Sequence, residues 1–134
     1  MSLSANYAST PTVGAALLTA ANTGTRAAPT GDSVIFTPGA SGGQVERILI
    51  EPVATTVAGT VQIIRTVGGT KYLYTEIQLQ IQTAATGTAI MPQTLEAVDN
   101  PNLFPIILSA GETLSAVLSV AQTGVVVQAE GGSY

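Results

Sequence analysis

Carboxylates are the only side chains here that could supply acid–base catalysis in pairs, because the 134-residue sequence contains neither histidine nor cysteine. Ser-His-Asp and Cys-His arrangements are therefore impossible within one chain, and zinc, copper and haem sites lose their usual ligands. Two acids could still hydrolyse a glycosidic bond if their carboxyl groups lay about 5–5.5 Å or about 6.5–9.5 Å apart. The candidate pairs are Glu46 with Glu51 and Glu96 with Asp99.

We expect both pairs to be solvated surface charges. Glu46 and Glu51 are separated by an odd number of residues, so a strand places them on opposite faces. Asp99, Asn100 and Asn102 offer only a sparse calcium loop, because calcium takes about six to eight oxygen ligands. We therefore predict no catalytic residue, no metal site, no cofactor and no enzyme activity.

Two tyrosines could form a binding surface. Tyr72 and Tyr74 alternate onto one face of a predicted strand, and exposed paired tyrosines can bind sugars or proteins. The alternative is that both rings are simply packed against their neighbours. Glu76, on the same strand, is expected to pair with Arg65 across a hairpin or to face water.

The residues around these positions form a β-hairpin in residues 58–82. Apolar Val61 and Ile63 alternate with Gln62, and Ile77, Leu79 and Ile81 alternate with glutamines, which predicts strands with one buried face. Gly68 and Gly69 can adopt the positive φ angles of a tight turn between the two strands.

Further short strands are predicted along the rest of the chain. They lie in residues 13–21, 33–37, 44–54, 89–98, 106–109, 114–120 and 125–130, with Leu103 and Phe104 closing one end of the core. Eight to ten strands joined by frequent turns predict an all-β, antiparallel β-sandwich, a jelly-roll-like fold or a small barrel. We expect one β domain in residues 13–134, preceded by an extended N-terminal arm in residues 1–12.

Composition excludes several classes of partner. Four basic and eight acidic residues give a net charge of -4, which is unfavourable for binding nucleic acid, and no polybasic segment favours a membrane. The sequence has no signal-peptide pattern, so we expect synthesis and use in the cytoplasm of the producing cell, or exit by assembly or lysis. Only 9% of residues are charged and 46% are hydrophobic. Interface cores are poor in charge, so this balance predicts burial in an oligomer or a larger assembly.

The stretch SGGQVERILIEPVATTVAGTVQIIRTVGGTKYLYTEIQL resembles small virion proteins of tailed bacteriophages, and the start NYASTPTVGAALLTAANT and the close LSAGETLSAVLS with VVVQAEGGSY follow the same plan. The resemblance implies a head decoration, or cement, protein. Such proteins bind the outside of the capsid as homotrimers and clamp the major capsid protein. On this hypothesis the arm contacts the capsid, chiefly through Asn6, Tyr7, Thr10 and Pro11, and the protein is located on the virion exterior.

Two alternatives remain open at this point. A head or tail fibre or adsorption module would bind host-surface glycans through Tyr72 and Tyr74. A glycan-processing enzyme would use Glu96 and Asp99.

Overall fold

A computed structural model describes residues 10–134 of the chain. Nine β-strands make up its regular structure: β1 (Thr10–Leu18), β2 (Ser33–Phe36), β3 (Gly43–Pro52), β4 (Thr60–Val67), β5 (Thr70–Gln78), β6 (Gln93–Glu96), β7 (Ile106–Leu108), β8 (Thr113–Leu118) and β9 (Val125–Ser133). None of the described residues forms a helix with the length and apolar character needed to cross a bilayer. The predicted all-β, antiparallel sandwich is confirmed.

The strands form two antiparallel sheets. The five-stranded sheet has the order β1-β9-β3-β6, with β7 also paired to β3, and the four-stranded sheet has the order β2-β8-β4-β5. The pairs β1 with β9, β2 with β8, β3 with β6 and β7, and β4 with β5 are nested within one another along the chain. This nesting, closed by the tight turn between β4 and β5, is typical of jelly-roll sandwiches.

The predicted hairpin is confirmed around its turn. Gly68 and Gly69 have φ angles of 58° and 82°, which glycine adopts without a steric penalty and other residues do not. The hairpin differs from the prediction at its far end, because β5 stops at Gln78. Beyond it, Gln82 exchanges backbone and side-chain hydrogen bonds with Thr56, so Leu79 remains buried but Ile81 is 70% exposed. The prediction of a buried Ile81 is therefore wrong.

The core lies between the sheets. Alternate residues of β3 and β9 point into it, including Ile48, Ile50, Val127 and Ala129, and the four-stranded sheet contributes Ile63. Phe104 is buried in the same cluster with Leu103 packed against it, as predicted. The sandwich is closed at one edge by contact between β1 and β2.

Gly14 permits this edge contact. A side chain at position 14 would place its Cβ 2.0 Å from the carbonyl oxygen of Ile35 on β2. Ile35 is the extra residue of a β-bulge, since Val34 pairs with Ser115 and Phe36 with Leu114. The two sheets therefore approach each other through backbone atoms at this edge.

The loop between β1 and β2, residues 19–32, covers the outer face of the four-stranded sheet. Its Asn22 side chain donates to Gln62 Oε1 at 3.1 Å, and its Arg26 lies 2.9 Å from Glu76. Asp32 forms an ion pair with Lys71 at the other end of the loop. Ile64 and Val117, on the same face, are also buried, although they lie outside the main core cluster.

The predicted boundary of the β domain at residue 13 is wrong. Thr10, Pro11 and Thr12 were assigned to the N-terminal arm, but they pair with Ser133, Gly132 and Gly131 of β9 as the first residues of β1. Pro11 fits because β1 is an edge strand of its sheet, where a missing N–H is tolerated. Residues 1–9, including Asn6 and Tyr7, lie outside the described part of the chain.

Candidate functional site

The predicted carboxylate pairs lie at or near the surface. Glu46 and Glu51 are both exposed on the outer face of β3, not on opposite faces as predicted, because a β-bulge at Glu46 shifts the alternation. Glu96 ends β6 just before the turn that contains Asp99. Asp99 and Asn100 both donate their backbone N–H to the carbonyl oxygen of Glu96. No group of three or more acidic residues within residues 10–134 has an arrangement that could hold a metal ion.

Strand pairing instead brings three other acids together in a groove on the outer face of the five-stranded sheet. Its volume is about 440 Å³, and its lining includes Glu46, Glu96, Glu130 and Arg47. Arg47 pairs with Glu130 on β9 and with Glu96 on β6 in the strand register. Glu46 is the extra residue of a β-bulge, since Val45 pairs with Gly131 and Arg47 with Glu130.

Hydrogen bonds and one ion pair partly satisfy the charged side chains of this groove. Arg47 donates to Glu130 Oε2 from Nε at 2.9 Å and also from Nη2. Gln44 donates to Glu46 Oε1 and Gln128 to Glu130 Oε1, each at 2.8 Å. Three carboxylates against one guanidinium leave the groove acidic, but nothing in it supplies a nucleophile or a general base beyond the acids themselves.

The two tyrosines do not form a shared exposed surface. Tyr72 is exposed, whereas Tyr74 packs against the core and donates its hydroxyl to the carbonyl oxygen of Leu103. A β-bulge is the reason: Ile63 pairs with Thr75 and Ile64 with Leu73, so Tyr74 is the unpaired extra residue. The prediction of an exposed tyrosine pair is therefore wrong for Tyr74.

Ion pairs on the four-stranded sheet also differ from the prediction. Arg65 pairs with Glu112 at 2.6 Å, not with Glu76. The hydrogen bond from Arg65 is the main reason that the pKa of Glu112 lies below its usual value. Glu76 accepts from Thr60 Oγ1 at 2.7 Å and from Gln62 Nε2 at 3.0 Å, and it pairs with Arg26. The Thr60 bond is the largest cause of the lowered pKa of Glu76.

The outer face of the five-stranded sheet is open beside the groove. On β1, Val13 is 62% exposed and Leu17 is 60% exposed, with Ala15 between them also exposed. Their partners on β9 are Glu130, Gln128 and Val126. Whereas residues 19–32 cover the other sheet, no described segment covers this face over Val13 and Leu17.

One end of the sandwich carries no ionisable side chain in its loops. We call it the ion-free end and define it by residues 53–59, 79–92 and 119–124. The stretches 52–64, 77–95 and 113–129, which contain these loops, have no Asp, Glu, Lys or Arg. Backbone hydrogen bonds tie the loops together: Val53 N–H donates to Gly124, Thr56 to Gln82 and Gln122 to Thr19.

Glutamine side chains fix the backbone of this end. The side-chain amide of Gln122 accepts from Val57 N–H and donates to Val57 C=O, both at 3.0 Å. Gln82 makes the same two bonds to Met91, at 2.6 and 2.9 Å. Gln93 accepts from the N–H of Gln80 and donates to the carbonyl oxygen of Gln78. Each amide therefore takes the place of a peptide group in a strand pair.

Large apolar side chains protrude from the same loops. Ile81 is 70% and Met91 60% exposed, and Val53, Val57 and Val120 are each close to half exposed. Leu17 borders the group, because a side chain at Gly124 would contact both Leu17 and Val53. The sequence interpretation did not identify this surface, although the long stretches without charge were a visible signal for it.

Comparison with known proteins adds no family to these observations. No protein-family model matches the chain, and no curated protein shows significant similarity to it.

Proposed function

We propose that the protein is a structural component of a tailed-bacteriophage virion. In this proposal it is a decoration protein that binds the outside of the major capsid protein shell as a homotrimer and stabilises the shell. The resemblance of its strand order and turn chemistry to small virion proteins supports the proposal. The observation that carries it is the open outer face of the five-stranded sheet, with Val13 and Leu17 exposed.

An open sheet face favours attachment to another protein surface. Each exposed aliphatic side chain that becomes buried gains about 1 kcal/mol or more, depending on how much of it leaves water. The neighbouring residues Ala15 and Gln128 are small or uncharged, so covering them does not require desolvating an ion. The outer face of the four-stranded sheet is partly covered by residues 19–32, whose Asn22 and Arg26 contact Gln62 and Glu76.

The arm is proposed to extend this contact. Residues 1–9 precede Thr10, the first residue of β1, which is the strand that also carries Val13 and Leu17. Within the arm, Asn6 and Tyr7 are the proposed capsid contacts, together with Thr10 and Pro11 at the beginning of β1. The protein is made in the host cytoplasm and ends up on the capsid exterior in this proposal.

A charge placed in the middle of the open face tests the attachment. Ala15→Lys puts an ammonium group between Val13 and Leu17, where it must be desolvated on binding. We expect at least a tenfold loss of affinity in co-sedimentation with capsids that lack the protein. Ala27→Lys is the matched control. Ala27 is exposed in the loop on the opposite sheet, and its replacement by lysine changes the net charge by the same amount. Equal binding by Ala15→Lys and the control, or no binding by the unaltered protein, would contradict the proposal.

A further inference from the structure

We propose that copies of this chain associate with one another through the ion-free end. The inference rests on the homotrimer of the proposed function, and it names the surface by which the copies meet. The occupant of this surface is a second copy of the chain, and the residues in contact are Val53, Val57, Ile81, Met91 and Val120.

Charge distribution selects the ion-free end for contact between copies. Each copy carries a net charge of -4, so two copies repel wherever their acids approach. The ion-free loops hold none of these charges, and the nearest exposed acid is Glu51, at the end of β3. The Arg26 and Glu76 charges nearby compensate each other. A surface without charge is complementary to a second copy of itself.

Distance makes the repulsion between the acidic grooves small. Arg47 and the acidic groove lie five residues before Pro52, which places them about 17 Å from the end of β3 at about 3.3 Å per residue. When copies meet at their ion-free ends, end to end in a pair or around a threefold axis, the grooves are therefore separated by well over that distance. Electrostatic interactions are screened over a Debye length of about 8 Å at physiological salt, so the grooves scarcely repel.

Contact through the open outer sheet face would be less favourable for two copies. That face includes Glu46, Glu96 and Glu130 with the single arginine Arg47, and a self-contact would bring two such acidic groups together. Like charges that face each other across an interface oppose association. The open face is thus left for the shell, while the ion-free end serves the contact between copies.

The loops of the ion-free end are already fixed in one conformation. Gln122 and Gln82 hold the backbones of Val57 and Met91 through paired amide bonds, and Thr56 bonds the segment that carries Ile81. Association therefore does not have to order these loops, which lowers its entropic cost. The bonds also satisfy backbone groups that would otherwise lose water on burial.

Sedimentation equilibrium of the full chain, from about 1 to about 100 μM, tests the inference. The unaltered protein is expected to self-associate, and Ile81→Lys to weaken the association constant at least tenfold. Met91→Lys is expected to act in the same way. Ile81 and Met91 are 70% and 60% exposed, so neither change should alter the near-ultraviolet circular dichroism of the fold. An equimolar mixture of Ile81→Lys and Ile81→Glu is expected to associate more strongly than either variant alone.

Val98→Lys is the matched control. Val98 is 88% exposed in the loop between β6 and β7, at the opposite end of the sandwich, and the substitution changes net charge equally. It should leave the association constant within twofold of the unaltered value. Association by Ile81→Lys that equals the control, or a monomeric unaltered protein over the whole range, would overturn the inference. Capsid co-sedimentation of the same samples decides separately whether the proposed shell binding stands.

Discussion

Single glycines let neighbouring backbones approach closely, between the two sheets at Gly14 and within the five-stranded sheet at Gly131. Gly14 on β1 and Gly131 on β9 each lie so close to a neighbouring backbone that an added Cβ would fall within 2.0 Å of a carbonyl oxygen, that of Ile35 or of Gln44. A change of rotamer cannot relieve such a contact, because the position of a Cβ is fixed by the backbone and the neighbouring oxygen is itself a backbone atom. These glycines are required by packing and not by their φ angles.

Gly14→Ala is therefore expected to destabilise the fold by about 3 kcal/mol, at the upper end of overpacking costs, because β1 and β2 must separate. Gly31→Ala is the comparison, since Gly31 has φ 79° and nothing within 4 Å of an added Cβ. That variant should lose only about 1 kcal/mol, the cost of a left-handed conformation for alanine. Urea unfolding measures the free energy of unfolding of both variants. Equal losses of stability would show that β1 and β2 can separate at little cost.

Residue patterns predicted some of these features and not others. The alternation in β3 and the Gly68-Gly69 turn depend on neighbours in sequence, so the sequence alone was sufficient to predict them. The acidic groove depends on strand register between β3, β6 and β9, which places Glu96 and Glu130 on either side of Arg47. The packing of Tyr74 depends on one extra residue in β5. No local pattern specifies either of these.

Among the elements, the loop of residues 19–32 has the most specific attachment. Asn22 organises it: its Oδ1 accepts from the N–H groups of Gly24 and Thr30, and its Nδ2 donates to Thr25 and Gln62. Gln62 then donates to Glu76, which also binds Thr60 and Arg26. Because Arg26 is mostly exposed, its ion pair with Glu76 contributes less to stability than the hydrogen bonds that Glu76 accepts from Thr60 and Gln62.

This network makes the loop's attachment depend on pH. The folded pKa of Glu76 is lowered, chiefly by Thr60, so its contribution to stability is present above the unfolded value of about 4.3 and is lost as pH falls through the folded pKa. We expect Glu76→Gln to destabilise the protein by about 1–2 kcal/mol at pH 7 and by less below pH ~4. Urea titrations at several pH values measure the difference.

The comparison for this prediction is Glu51→Gln, at an exposed position on β3, which should change stability by less than about 0.5 kcal/mol at pH 7. A Glu76→Gln effect that stays constant from pH 7 to pH 3 would show that the carboxylate charge is not what matters.

At the scale of the whole molecule, the loops at one end of the sandwich carry no ionisable side chain. The acidic groove and the Arg65–Glu112 and Lys71–Asp32 pairs lie on the faces and at the end opposite the ion-free loops. The low charged fraction predicted burial in an assembly, but it could not show that the charges avoid one end. That required the strand order, which brings three loops from distant parts of the chain together.

Self-association through an uncharged surface should be nearly independent of salt. Between about 50 and about 500 mM NaCl the Debye length shrinks several-fold, which weakens contacts that depend on ion pairs. We expect the association constant to fall by less than twofold across this range in sedimentation equilibrium. A tenfold fall would indicate that ionic groups take part in the contact.

The nested strand pairs also have a consequence for how the chain folds. Starting from the two-glycine turn, each pair that zips brings the ends of the next pair within reach, so no step has to close a long loop at once. β1 is an edge strand and is paired on one side only, with β9. While it is detached, the edge of β9 offers its unpaired peptide groups to any passing strand, so misassembly is most easily started there.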